Sequence, residues 1–157
     1  ARRVAMAAPD RPGYFRDLVG ELRGGAVVTV RGDHPAPAGS PRGRFLGRPT
    51  AFARGAPTLA LRAGAELVTA RVIRVGSCCY RLTVEPPIEL SREDRDHFLA
   101  AAVAEFAGRL ERNALAFPSD WEGWLWLQEL VATEPARVDA AAQSGSGSRG
   151  GAVGGVI

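Results

Sequence analysis

Two apolar, β-branched runs, Leu67 to Arg74 and Cys79 to Glu85, constrain this chain more than any other stretch. Val75-Gly76-Ser77-Cys78 separates them, a spacing that predicts an antiparallel hairpin with a four-residue loop. Pro86-Pro87 closes the second run, because proline cannot donate to a strand ladder. Just upstream a short helix is predicted near 56–63, with Pro57 suited to its first turn and Gly64 placed to stop it. A helix followed by strand, turn and strand is an α/β unit.

The flanking segments extend it. Tyr14, Phe15, Leu18, Val19 and Leu22 recur at helical spacing, and Gly24-Gly25 ends that helix near Arg23. Ala26 to Val30 then predicts a short buried strand, its apolar run suiting a sheet covered on both sides. The strand delivers Arg31-Gly32-Asp33-His34 to its C-terminal end, where ligands of open α/β sheets tend to sit. By themselves the residues favour a turn, since Gly-Asp followed by His-Pro is ordinary turn chemistry.

His34 to Pro41 is a proline-rich connector leading into Arg42, Arg44, Arg48 and Arg54, interleaved with glycine and Phe45. This reads as an arginine loop. Guanidinium forks bind phosphate bidentately, so Arg42, Arg44 and Arg48 are candidates for a phosphate or headgroup, against the alternative of a solvated face. No recognisable nucleic-acid module or base-stacking platform accompanies them, and no nucleic-acid partner is expected.

A long helix is predicted over 92–114, capped by Ser91 with Asp94 three residues on. Its apolar stripe is Phe98, Leu99, Ala102, Val103, Phe106 and Leu110. Glu105, Arg109 and Glu111 are expected to face outward, and His97 to lie on the helix surface. Trp121, Trp124 and Trp126 follow within a short span. Trp126 reads as core packing, while Trp121 and Trp124 suit either core packing or a membrane interface.

Together these elements predict a mixed α/β sheet flanked by helices, one domain over 1–135 and a disordered, low-complexity tail over 136–157. With 46% hydrophobic residues and 24% charged, the chain has the composition of a globular protein. Its positive charge is all arginine and its net charge is +3, which suits an anionic partner without requiring one. The two cysteines, Cys78 and Cys79, are adjacent, so neither a disulfide framework nor a metal site is expected. No apolar run approaches the ~18–20 residues of a membrane span.

The segments FLGRP, GAPTLALRAGAELV and YRLTVEPPIEL, with the terminal Pro118-x-x-Trp121 and Trp126-Leu127 pattern, resemble the C-terminal half of the bacterial lipid A biosynthesis (lauroyl/myristoyl) acyltransferases and the related phosphatidylinositol mannoside acyltransferases. The likeness runs from about Arg16 to Trp126, with Gln128 where the family usually has histidine. It implies an acyltransferase-like fold and transfer of a fatty acyl group from an acyl carrier protein or coenzyme A thioester to a glycolipid hydroxyl. It further implies no cofactor beyond that donor, and a peripheral place on the cytoplasmic face of the membrane. Asp33 and His34 would border the acceptor.

The family's chemistry rests on a histidine followed after four residues by Asp or Glu. Here Gly39 stands at that distance from His34 and Ala102 at that distance from His97, so no catalytic residue is assigned. The motif would precede Ala1, and the chain starts without methionine. The expectation is therefore a C-terminal portion, incomplete at its N-terminus. The alternative is a catalytically inactive lipid- or carrier-binding module.

Overall fold

The structure, a computed structural model, describes residues 4–5, 12–37, 39–89, 91 and 94–131. The expected tail, and the boundary drawn at residue 135, lie outside the described residues. In chain order the elements are β1 (Val4–Ala5), α1 (Tyr14–Arg23), β2 (Val27–Val28), β3 (Arg42–Phe45), β4 (Arg48–Ala51), α2 (Gly55–Ala63), β5 (Ala70–Arg74), β6 (Tyr80–Val84) and α3 (Arg95–Ala116). Two 3-10 turns, Pro118–Asp120 and Glu122–Trp126, then lead into α4 (Leu127–Val131).

The α/β class holds, and the strands form three two-stranded ladders. β1 and β2 run parallel, whereas β3–β4 and β5–β6 are antiparallel hairpins. The hairpin read from the two apolar runs is present, with Ala70 opposite Val84 and Arg74 opposite Tyr80. Its arms continue past the strands, since Glu85 N donates to Thr69 O and Ile88 N to Leu67 O. α1 matches its predicted span, and α2 ends at Gly64, whose φ of 71° is the left-handed conformation that suits glycine.

Three expectations need correcting. Arg42 to Pro49 is no loop but most of a tight hairpin, turning on Leu46 (φ 49°) and Gly47 (φ 78°). A two-residue turn that matches strand twist needs positive φ at both positions, which this pair supplies. The signal was the alternation itself: Gly43 and Phe45 are buried while Arg42 and Arg44 are exposed. Second, Ser91 does not cap the long helix. Asp94 does, its Oδ1 accepting from the backbone N–H of Asp96 and His97. Third, the Ala26–Val30 strand is shorter and more open than predicted. Val27 and Val30 are exposed, because among the described residues only β1 borders this strand.

The core sits where β3 and β4 lie on α3. Phe45 and Phe52 pack with Val103, Ala107 and Leu130, and the two phenylalanine rings meet edge to face at 6.0 Å. Burying each ring contributes about 2–3 kcal/mol of transfer free energy. Gly43 lets the layers approach, since a Cβ there would lie 2.5 Å from the Ala107 Cβ. A second cluster, Phe98, Leu99 and Ala102, takes Leu61 from α2 and Leu67 from the start of the β5 arm. The helical stripe read from the sequence therefore turns inward, onto α2 and the β5 arm at one end and onto β3 and β4 further along, and His97 is exposed as expected.

Candidate functional site

A cavity of about 520 Å³ opens between the segment Val30–Asp33, which follows β2, and β5, with α3 as its floor. The floor is apolar, formed by Ala102, Val103, Phe106 and Leu110. Gly32 brings the first wall down onto it, because a Cβ there would lie 2.8 Å from the Phe106 ring. The cleft is charged at two places and apolar between them.

One charged place is the end of the Val30–Asp33 segment. Asp33 accepts from Arg31 Nε at 3.3 Å and from the Trp121 indole N–H at 3.1 Å. Arg31 also donates to Glu122, and its guanidinium lies over the Trp126 ring, 4.9 Å from the centroid. The hydrogen bond with Glu122, aided by Asp33, raises the Arg31 pKa, so the guanidinium is charged at any working pH. The Trp126 indole N–H donates to the Asp33 carbonyl at 2.8 Å, and the His34 ring stacks on Trp126 at 4.7 Å. Trp121 and Trp126 thus pack around Asp33 and His34, while Trp124 is partly exposed with its N–H bonded to Pro118 O.

The other charged place was not read from the sequence. Glu85 accepts from Thr69 Oγ1 at 2.7 Å, from Arg71 Nη1 at 3.3 Å and from Asn113 Nδ2 at 3.3 Å. Arg109 was expected to face outward, yet its side chain is only 11% exposed and reaches Thr69, Glu85 and the Pro86 carbonyl. Its long stem lets a residue on the border of the apolar stripe bury itself along β5. Burial alone would push the Glu85 pKa up. The hydrogen bonds from Thr69 and Asn113 and the charges of Arg109 and Arg71 outweigh it, and the carboxyl is held below its ordinary value. Arg71 stands between Ala70 and Val72 on β5, and Arg109 between Gly108 and Leu110 beside the apolar stripe of α3, which was the available sequence signal.

The five candidate site residues do not converge. Asp33 lines the cavity and His34 turns away from it onto Trp126. Arg42, Arg44 and Arg48 are all exposed on the β3–β4 hairpin, Arg42 and Arg44 on one face and Arg48, opposite Phe45 beside the turn, on the other, and none lines the cavity. No cluster of three or more His, Cys, Asp or Glu side chains capable of holding a metal occurs among the described residues. Cys78 and Cys79 are free thiols, exposed at the tip of the β5–β6 hairpin.

An α/β domain with an open cleft, apolar on its floor and charged at its ends, is built to receive a molecule that is itself part apolar and part polar. The sequence profile of bacterial lipid A biosynthesis acyltransferases matches residues 2–133, and the chain belongs to that family. No curated protein matches the sequence. Among the described residues, no helix is long and apolar enough to cross a membrane.

Proposed function

We propose that this domain forms one wall of an acyl-transfer site, where a fatty acyl group passes from an acyl carrier protein or coenzyme A thioester to a glycolipid hydroxyl. The observation that carries this reading, beside family membership, is Asp33 fixed between Arg31 and Trp121 at the mouth of an apolar cleft. In such a transfer the acceptor oxygen attacks the thioester carbonyl, loses its proton to a base and expels the thiolate. Asp33 borders the acceptor, while His34 is stacked on Trp126 away from the cleft. Arg42 and Arg44 on one face of the β3–β4 hairpin, with Arg48 exposed beside its turn, give that hairpin a cationic surface apart from the cleft, suited to an anionic headgroup of the membrane on which the domain sits peripherally.

The base is not among these residues. His34 has its ring on Trp126, His97 is exposed on α3, and neither has a carboxylate five positions on. A positioned base is worth about 10²–10⁴ in rate. The chain alone is therefore expected to bind lauroyl-coenzyme A but to transfer no acyl group above background to a glycolipid. His34 is the one residue that overturns this if turnover appears and is abolished in His34→Ala. The same missing base favours a second reading, an inactive lipid- or carrier-binding module. Restoring turnover by adding a polypeptide that carries the histidine–carboxylate motif decides for the first reading; binding with no such rescue decides for the second.

A further inference from the structure

β6 is the outer strand of its hairpin, because β5 is its one ladder neighbour among the described residues. Glu85 N donates to Thr69 O and Val75 N to Cys79 O, so the odd-numbered residues of β6 bond to β5. The even-numbered residues Tyr80, Leu82 and Val84 therefore turn their N–H and C=O groups outward, where none of the described residues meets them. Their side chains are 65%, 64% and 58% exposed. Strand edges are commonly blunted by proline, charge, bulges or a covering loop. Here Pro86-Pro87 stand beyond the strand, the register runs without a bulge, and Arg81 is the one charge in it. No residue of β6 lines the cavity.

The sequence of this edge, Tyr80-Arg81-Leu82-Thr83-Val84, is complementary to itself. An antiparallel copy centred on Leu82 sets Leu82 against Leu82 of the second copy and Tyr80 against its Val84. All three outward residues of each strand then form hydrogen-bonded pairs, with two bonds to a pair and about six in all. On the other face Arg81 meets Thr83 of the second copy, so no like charges stand directly opposite. Centring on Arg81 would oppose two guanidinium groups. Centring on Thr83 would pair Tyr80 with Pro86, which has no N–H to give. Leu82 is the centre that satisfies every outward group.

We infer that β6 is a self-association edge: a second copy of this chain pairs with it antiparallel, about a twofold axis through Leu82, and the two hairpins become one four-stranded sheet. Tyr80, Leu82 and Val84 of both copies then lie on the same side of that sheet and pack flank to flank. Contact through a five-residue edge on each copy falls below the about 1,200 Å² of standard interfaces. The dimer is therefore weak and reversible, with a Kd of about 10–100 μM. The edge lies apart from the cavity, and the inference stands whether or not the domain takes part in acyl transfer.

The test uses the whole chain, with reductant present so that Cys78 and Cys79 stay as thiols. Sedimentation velocity should show monomer passing to dimer between about 5 and 500 μM. Amide hydrogen exchange followed by NMR should show Arg81 and Thr83 slow at every concentration. Tyr80, Leu82 and Val84 should slow about threefold or more between dilute and concentrated samples. Leu82→Lys and Leu82→Glu each set like charges on the axis and should each dimerise at least about tenfold more weakly, while a mixture of the two should recover the parent's association. A chain that stays monomeric at about 500 μM would overturn the inference, as would Tyr80, Leu82 and Val84 amides indifferent to concentration. A dimer left intact by Leu82→Lys would place the contact elsewhere and overturn it too, as would two folded variants that fail to recover on mixing. The amide reading needs no variant, so it decides even if a substitution perturbs the hairpin.

Discussion

Replacing Gly43 with alanine tests the packing on which the whole molecule rests. The new Cβ would lie 2.5 Å from the Ala107 Cβ, 3.0 Å from the Val103 carbonyl oxygen and 3.4 Å from the Ala104 Cα. Ordinary carbon contacts are about 3.5–4.0 Å, so β3 and α3 must part by about 1 Å. Ala107 and Phe45 are both fully buried, leaving little slack beside the new methyl. Overpacking of this kind costs about 1–3 kcal/mol, and a clash with helix backbone belongs at the upper end. The φ of Gly43 is not in the left-handed region, so alanine also returns about 0.4–1 kcal/mol by restricting the unfolded chain. A net loss of about 2 kcal/mol follows, or a fall in Tm of about 4–8 °C for a chain of this size.

Urea melts of Gly43→Ala, Ala107→Gly and the double variant separate this contact from background effects. Ala107→Gly alone should cost about 1–2 kcal/mol from helix propensity and a lost buried methyl. The double variant should be more stable than the sum of the two by about 1 kcal/mol, since the nearest clash is gone but the Val103 oxygen remains. Additive losses, or a Gly43→Ala protein as stable as the parent, would refute the close approach of β3 to α3.

The Glu85 cluster should make stability depend on pH. Its folded pKa lies below the ordinary 4.5, so its contribution is present above that pH and is lost as pH falls through the folded value. Glu85→Gln should cost about 1–3 kcal/mol at neutral pH and flatten the urea midpoint measured below pH 4.5. Gly47→Ala meets no atom within 4 Å but must adopt a φ of 78°. It should lower Tm by about 2–4 °C, through a backbone penalty of about 1 kcal/mol, with Gly47→Asn less affected. Arg44→Ala combined with Arg48→Ala should weaken binding to phosphatidylglycerol vesicles at low salt by about tenfold or more, read by co-sedimentation. Unchanged sedimentation would leave those arginines as solvated surface.

Local signals were legible in the sequence wherever backbone chemistry decides structure. Gly24-Gly25 and Gly64 end helices, Pro86-Pro87 ends the strand register, and the period of Phe98, Leu99, Ala102 and Val103 fixes the buried face of α3. These depend on φ restrictions, missing donors and side-chain spacing, all properties of short stretches. The Arg42–Ala51 hairpin was legible in principle, yet the density of arginine and glycine concealed the alternation of Gly43 and Phe45.

What only the tertiary structure decided concerns residues whose partners are far away in the chain. Asp33 was a candidate from its place after a strand, but its fixed position comes from Trp121, 88 residues on. Arg109 looked like a surface residue until Thr69, Glu85 and Pro86 closed around its guanidinium. His34 was grouped with Asp33 because they are neighbours in sequence. The chain bends at these two residues, so Asp33 lines the cavity while Trp126 takes the imidazole. Pattern and propensity set the elements, but a guanidinium or carboxyl acquires its role from whichever group the fold brings within about 3 Å of it, and that pairing has no period along the chain to read.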